Sequence, residues 1–143
     1  MKLVKASASD IDDVIDIHNR HFLKCNYDDY YKELNSEYST FLVLKNQNTI
    51  IGYLVVYILF QTMEIVSICI DDSFQHQGYG KFLLEYSEFL AYKHNCEEIL
   101  LEVEEKNIHA LDVYVSFGFG KIHIRKNYYG TNRNAIIMKK LVE

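Results

Sequence analysis

Two stretches of this 143-residue chain have residue types and spacings that could do chemistry. The first is Gln75-His76-Gln77-Gly78-Tyr79-Gly80-Lys81, between an apolar run ending in Asp71-Asp72 and an amphipathic run. Its small residues let backbone pass close to a ligand, and free N–H groups at a helix start attract phosphate. It is not a Walker loop, because no Gly-Lys-Ser/Thr follows four intervening residues. It is not the dinucleotide fingerprint either, because Gly78 to Leu83 lacks the third glycine and the preceding strands read as antiparallel. The competing reading is an ordinary turn with a glycine hinge. The second stretch is Ile99-Leu100-Leu101-Glu102-Val103, followed by Asn107, Ala110, Tyr114, Gly118 and Phe119. A carboxylate flanked by apolar strand residues is expected to have a raised pKa, which suits a general base. Strand alternation also permits a glutamate facing water, with Leu100 and Glu102 on one face and Leu101 and Val103 on the other. Tyr114 also reads as a core aromatic on a short helix, and Asn107 as a helix cap.

Other chemistries are poorly served. The six histidines (18, 21, 76, 94, 109 and 123) have no metal spacing such as HExxH, and read as surface or capping residues. Cys25, Cys69 and Cys96 are odd in number and far apart, so neither a disulfide framework nor a zinc site is expected. Cys69 reads as a buried small hydrophobe within a strand, not as a nucleophile.

The elements that must position these residues follow from periodicity. Ser9 reads as an N-cap, with Asp10, Asp12 and Asp13 in the first turn and Ile11, Val14, Ile15, His18 and Phe22 at helical spacing. A second helix is expected over Asp28 to Leu34, capped by Asn26. Strands follow at Thr40 to Lys45, Thr49 to Phe60 and Met63 to Asp71, joined by turns at Asn46-Gln47-Asn48 and Gln61-Thr62. Lys81 to His94 is an amphipathic helix with Phe82, Leu83, Tyr86, Phe89 and Leu90 on one face. Then come a strand at Glu98 to Val103, a helix at His109 to Phe117 closed by Gly118, and strands at Gly120 to Tyr128 and Asn134 to Leu141. With a first strand at Lys2 to Lys5, this is an α/β chain: one mixed sheet with helices on both faces, in a single domain over residues 1–143.

Composition narrows the class. Hydrophobic residues at 49% and charged residues at 24% are ordinary for a soluble globular protein. The longest apolar candidate, Ile50 to Phe60, is too short to span a membrane, and the N-terminus lacks the apolar region of a signal peptide. A reduced, cytoplasmic setting is expected. Charge is uneven: up to Gly120 there are 9 Lys/Arg against 19 Asp/Glu, and from Lys121 onward 6 against 1. An acidic body disfavours direct nucleic-acid binding and suits a cationic partner.

Gln75-His76-Gln77-Gly78-Tyr79-Gly80 resembles the Gln/Arg-x-x-Gly-x-Gly/Ala motif of the GNAT acetyltransferases, at the same place between a strand and a helix. Leu101-Glu102-Val103 with Asn107, Tyr114, Gly118-Phe119, Ile124-Arg125-Lys126-Asn127-Tyr128-Tyr129 and Ala135-Ile136-Ile137-Met138 is similar to the RimI-type branch, which acetylates the N-terminal alanine of a ribosomal protein. The resemblance implies the GNAT fold: a mostly antiparallel sheet with a splayed strand pair that holds acetyl-CoA. It implies cofactor contacts from Ile68, Cys69 and Ile70 to pantetheine, from Gln75, His76, Gln77, Gly78, Tyr79, Gly80 and Lys81 to pyrophosphate, and from Asn107. It implies direct transfer in a ternary complex, with Glu102 as proton acceptor, Tyr114 as proton donor and a backbone N–H near Ile70 at the oxyanion. No metal is implied. The chain departs from the family pattern at His76, where Arg is usual, at Ser73 and Gly130, where Pro is common, and at Asn134, where an acid is common. Leu23-Lys24-Cys25-Asn26-Tyr27 replaces an aromatic Pro-Trp segment. Alternatives are a GNAT enzyme for a small amine or a lysine side chain, and a non-catalytic acyl-CoA-binding module.

Overall fold

The computed structural model describes residues 1–22 and 24–143; Leu23, in the segment that departs from the family pattern, lies outside them. Strand β1 (Lys2–Lys5) leads into helices α1 (Ile11–His21) and α2 (Tyr27–Asn35). An antiparallel meander of β2 (Ser39–Asn46), β3 (Thr49–Leu59) and β4 (Thr62–Ile70) follows. Helix α3 (Tyr79–Lys93) crosses to β5 (Glu98–Glu104), and α4 (Ile108–Ser116) leads to the hairpin β6 (Gly120–Gly130) and β7 (Arg133–Leu141). The sheet order is β1-β2-β3-β4-β5-β7-β6, and only β4–β5 is parallel. This is the mixed sheet expected from periodicity, and it is mostly antiparallel as the resemblance implies.

Two apolar cores, one on each face, hold the helices to this sheet. Leu83, Leu84 and Ala91 of α3 pack on Leu54, Met63, Ile99, Leu101 and Met138, and Tyr114 and Phe117 at the end of α4 join them. On the other face Ile11, Val14 and Ile17 of α1 and Tyr30 of α2 pack on Phe41, Val43, Tyr53 and Val55.

Three local expectations need correction. The first helix is capped earlier than Ser9: a short 3-10 turn over Ala8–Asp10 precedes α1, and the Ser7 N–H donates to Asp10 Oδ2 at 2.9 Å. Asp10 is thereby buried and paired with Lys45 Nζ at 3.0 Å, and Ile17 takes the buried position expected of Ile15. The β3–β4 turn falls on Phe60-Gln61, with Phe60 at φ 55°, so Thr62 already belongs to β4. The buried stripe of α3 is Leu83, Leu84, Ser87 and Ala91, leaving Phe82 and Phe89 exposed. Small Ser87 and Ala91 let the helix lie close to the sheet, and the Ser87 hydroxyl is satisfied by Leu84 O at 2.7 Å.

Strands β4 and β5 part partway along their length. They pair from Thr62↔Glu98 to Ile65↔Leu101 and no further. At that point the β3–β4 register shifts between Val55 and Val56, whose partners are Ser67 and Ile65, so Val66 is an extra residue. A bulge of this kind bends its strand. Beyond it β4 keeps its pairing with β3 as far as Gly52↔Ile70, while its other edge has left β5.

Candidate active site at the parting of two strands

The freed end of β4 runs into the glycine-bearing loop. Gln75 Nε2 donates to Ile70 O at 2.9 Å and folds the loop back on the strand end. Gly78 caps α3 at φ 90°, a conformation open to glycine and strained for a side chain. A Cβ built on Gly78 meets nothing within 4 Å, so the space above the turn is open. The first N–H groups of α3 have no partner in their own helix, and Gly78 offers no side chain to cap them.

Charge placement fits an anion here. Helices α1 and α2 carry Asp12, Asp13 and Asp28, Asp29 in their first turns, whereas the first turns of α3 and α4 carry no acid. The two acid-free N-termini also meet, because the His76 and His109 rings lie edge to face with centroids 5.5 Å apart. Neither helix end has an acid in its first turn to answer its partial positive charge, which suits a phosphate-bearing ligand. Asn107 caps α4, its Oδ1 accepting from Ala110 N at 3.2 Å. The capping alternative is therefore correct, and it leaves the Asn107 amide N–H groups available.

Tyr114 and Glu102 flank the gap from opposite faces of the sheet. Tyr114 packs on the core under α3 and α4, edge to face with Phe119 at 5.9 Å. Desolvation, with a smaller push from Cys69, raises its hydroxyl to about 12, so it holds its proton throughout the neutral range. Burial likewise pushes the Cys69 thiol up to about 12, which argues against a thiolate nucleophile. Glu102 points to the other face. Its apolar neighbours Leu101 and Val103 are buried in the opposite core and do not enclose it. Instead Arg125 Nη1 stands 3.1 Å from Glu102 Oε1, and the carboxylate is 27% exposed. Sequence neighbours suggested an apolar setting, and cross-strand geometry supplies a charged one.

Two further groups lie beside Glu102, and sequence alone assigns neither a role of its own. Glu64 shares the face of Leu100, its β5 partner, and so lies diagonally beside Glu102. Its carboxyl is raised above the usual range by desolvation and then by Glu102, with Arg125 acting the other way. The Tyr129 hydroxyl is raised by desolvation and then by Glu102. Strand alternation could have found Glu64; Arg125 and Tyr129 lie in the β6 segment whose pattern resembles the RimI-type branch, but that pattern does not place them beside Glu102.

A polar cluster fixes β4 from the α1–α2 side. His18 Nδ1 is 2.7 Å from the Tyr30 hydroxyl, which is 3.0 Å from Ser67 Oγ and donates to the Tyr53 hydroxyl at 3.2 Å. His18, expected at the surface or in a cap, instead ties α1 to α2 and to the residue just after the bulge. Among the described residues no group of three or more His, Cys, Asp or Glu side chains is arranged to hold a metal ion, and no helix is long and apolar enough to cross a membrane.

A loop suited to phosphates, a strand edge freed by a bulge and a proton-holding tyrosine beside it are the parts that an acyl-transfer site would need. Residues 11–119 match the Acetyltransferase (GNAT) family, and the chain belongs to that family. It is an acetyl-CoA-dependent N-acetyltransferase. It is 35% identical over 111 residues to the ribosomal protein bS18-alanine N-acetyltransferase of Haemophilus ducreyi, covering 73% of this chain and 77% of that one. Its fold is that of the Escherichia coli ribosomal-protein-S18-alanine N-acetyltransferase, with TM-score 0.91, 24% identity, and 99% and 94% of the two chains covered. An aminoglycoside 6'-N-acetyltransferase solved with coenzyme A has the same fold, with TM-score 0.85, 13% identity, and 100% and 98% covered.

Proposed function

We propose that residues 1–143 act as one cytoplasmic domain that moves an acetyl group from acetyl-CoA to the N-terminal alanine amine of a small-subunit ribosomal protein. The observation that carries the acceptor is the 35% identity to a relative named for that reaction. The acidic body and the open, acid-bearing face around Glu102 support a cationic peptide N-terminus as the incoming group.

Acetyl-CoA supplies, when bound, an acetyl thioester that an amine attacks directly in a ternary complex. The chain's own groups divide the remaining work. The amides of Gly78, Tyr79, Gly80 and Lys81 hold phosphate, joined by Gln75, His76, Gln77 and the Asn107 amide. The free edge of Ile68, Cys69 and Ile70 receives the pantetheine arm. An α-amino group titrates near ~8, so only a small push frees its lone pair. Glu102 takes that proton, directly or through water. Tyr114 keeps a proton on its hydroxyl until the thiolate side needs it, which its burial favours.

The test is acetyl-CoA-dependent thiol release with a peptide that starts with alanine, set against a polyamine panel. Wild type should favour the peptide, and Glu102→Gln should lower turnover with a deficit that shrinks as pH rises past the amine's own titration. Preference for the polyamines would refute the acceptor. A deficit constant with pH would give Glu102 a positioning role and remove it as the base.

A further inference from the structure

The acceptor side of the site already holds a cation of its own. Arg125 reaches from β6 across the face of β7 to Glu102 on β5. Its own row partners are Ala135 and, beyond it, Glu104; Glu102 stands in the next row, with Ile137 and His123. The small Ala135 side chain gives the guanidinium a low path over the sheet. Glu104 does not compete for Arg125, because Arg133 holds it through Nε at 3.0 Å and through Nη2. Glu64, diagonal to Glu102, is exposed and acts electrostatically with both Glu102 and Arg125. Tyr129, Tyr128 and, in the row of Glu102, His123 are further titratable groups at this face, and Arg125 lies over the Tyr128 ring at 5.3 Å.

An amine that is to lose its proton to Glu102 must approach the carboxylate that Arg125 now occupies. Two cations cannot share one carboxylate edge without repulsion. Arg125 is itself 50% exposed and sits on an edge strand whose residues are nearly all exposed, so it has room to leave. The Tyr128 ring offers the displaced guanidinium a face to rest on.

We infer that Arg125 is an internal placeholder for the acceptor's ammonium group: it pairs with Glu102 in the free enzyme and is displaced when the peptide N-terminus binds between Glu102 and Glu64. The inference rests on the acceptor reading above and makes Arg125 a specificity-determining residue. Only acceptors that bring a cation of their own recover the interaction that is lost, so neutral-ended peptides are disfavoured. The displacement cost is that of an exposed ion pair, equivalent to between about twofold and fivefold in affinity.

The experiment is calorimetric binding of a peptide with a free N-terminal alanine to the CoA-saturated enzyme, at neutral pH and low salt. Its partner is the same peptide with the N-terminus already acetylated. Arg125→Gln should bind the free-amine peptide between about twofold and fivefold more tightly than wild type, with no gain for the acetylated peptide. Arg125→Lys, which keeps the charge, should stay within about twofold of wild type. Equal or weaker binding by an Arg125→Gln variant that melts like wild type would overturn the inference. So would an equal gain in the lysine variant, which would assign the effect to lost packing. A peptide that wild type acetylates but Arg125→Gln binds no tighter refutes this inference alone. A peptide that neither protein binds refutes the acceptor reading and this inference with it.

Discussion

Gly52 lies across from Ile70, at the end of the strand segment proposed to receive acetyl-CoA, and Gly52→Ala tests that segment directly. The added Cβ would stand 2.6 Å from Ile70 Cδ1 and 2.9 Å from Cys69 O. The Ile70 methyl can rotate away, but the Cys69 carbonyl is backbone and moves only with β4. To restore ordinary contact the strand must retreat by about 0.5 Å, in an interior packed too closely to absorb it freely. Overpacking of this size costs about 1–3 kcal/mol. Replacing a strand glycine by alanine returns roughly 0.5–1 kcal/mol of backbone entropy. The net expectation is a loss of about 1–2 kcal/mol, a fall in Tm of roughly 3–8 °C for a chain of this length. Because the retreat occurs at Cys69 and Ile70, acetyl-CoA affinity should fall by about tenfold, which corresponds to a loss of about 1.4 kcal/mol. Thermal melting and calorimetric acetyl-CoA binding read the two effects separately. An unchanged Tm would mean that the contact relaxes without moving β4. A lower Tm with unchanged affinity would mean that Cys69 and Ile70 do not line the cofactor's path.

Gly78→Val should abolish acetyl-CoA binding by calorimetry while leaving a folded protein, because a branched side chain at φ 90° is strained and enters the open space above the turn. Tyr114→Phe keeps the ring and its packing, so Tm should barely move while single-turnover rate falls by about 10²-fold; wild-type turnover would remove the donor role. For Asp10, desolvation raises the carboxyl, but the Ser7 N–H and Lys45 together outweigh it and the net shift is downward. A lowered folded-state pKa means stability present above the ordinary carboxylate range and lost as pH falls through the folded value. Asp10→Asn should therefore cost about 2 kcal/mol in urea unfolding at neutral pH, and the gap to wild type should narrow in acid; a gap independent of pH would show that the charge is not what stabilises this turn.

Much of the fold can be read from local pattern because local rules decide it. Asn26 caps α2 as its residue type suggests, with Asp29 N donating to it at 3.1 Å and its own N–H donating to Asp29 at 2.8 Å. Gly118 closes α4 at φ 106°. The errors share one cause, which is competition between equally good local choices settled by distant contacts. Ser7 and Ser9 are both plausible caps, and Lys45, from β2, decides for Ser7 by drawing Asp10 inward. Phe82 and Leu84 are both apolar positions on α3, and the flat path left by Ser87 and Ala91 turns Leu84 toward the sheet.

The same distinction divides the candidate site. Apart from Asn107, the proposed cofactor half is one contiguous piece of chain, from Ile68 through the glycine turn into α3, so its spacing survives in the sequence and its geometry follows from a strand end and a helix start. The acceptor half is assembled from single residues on β4, β5 and β6, and its properties reside in the distances between them. Glu102 shows what this costs: its neighbours along the chain are apolar, yet its neighbour in space is Arg125, 23 residues away. A carboxylate enclosed by leucine and valine would be a strong base that an amine could reach only after desolvation. A carboxylate paired with a half-exposed guanidinium can instead be reached by a competing cation without that desolvation. On the proposed reading the second arrangement ties proton acceptance to acceptor binding, and it places selectivity in the β6 strand, whose residues could change without disturbing the loop proposed to hold acetyl-CoA.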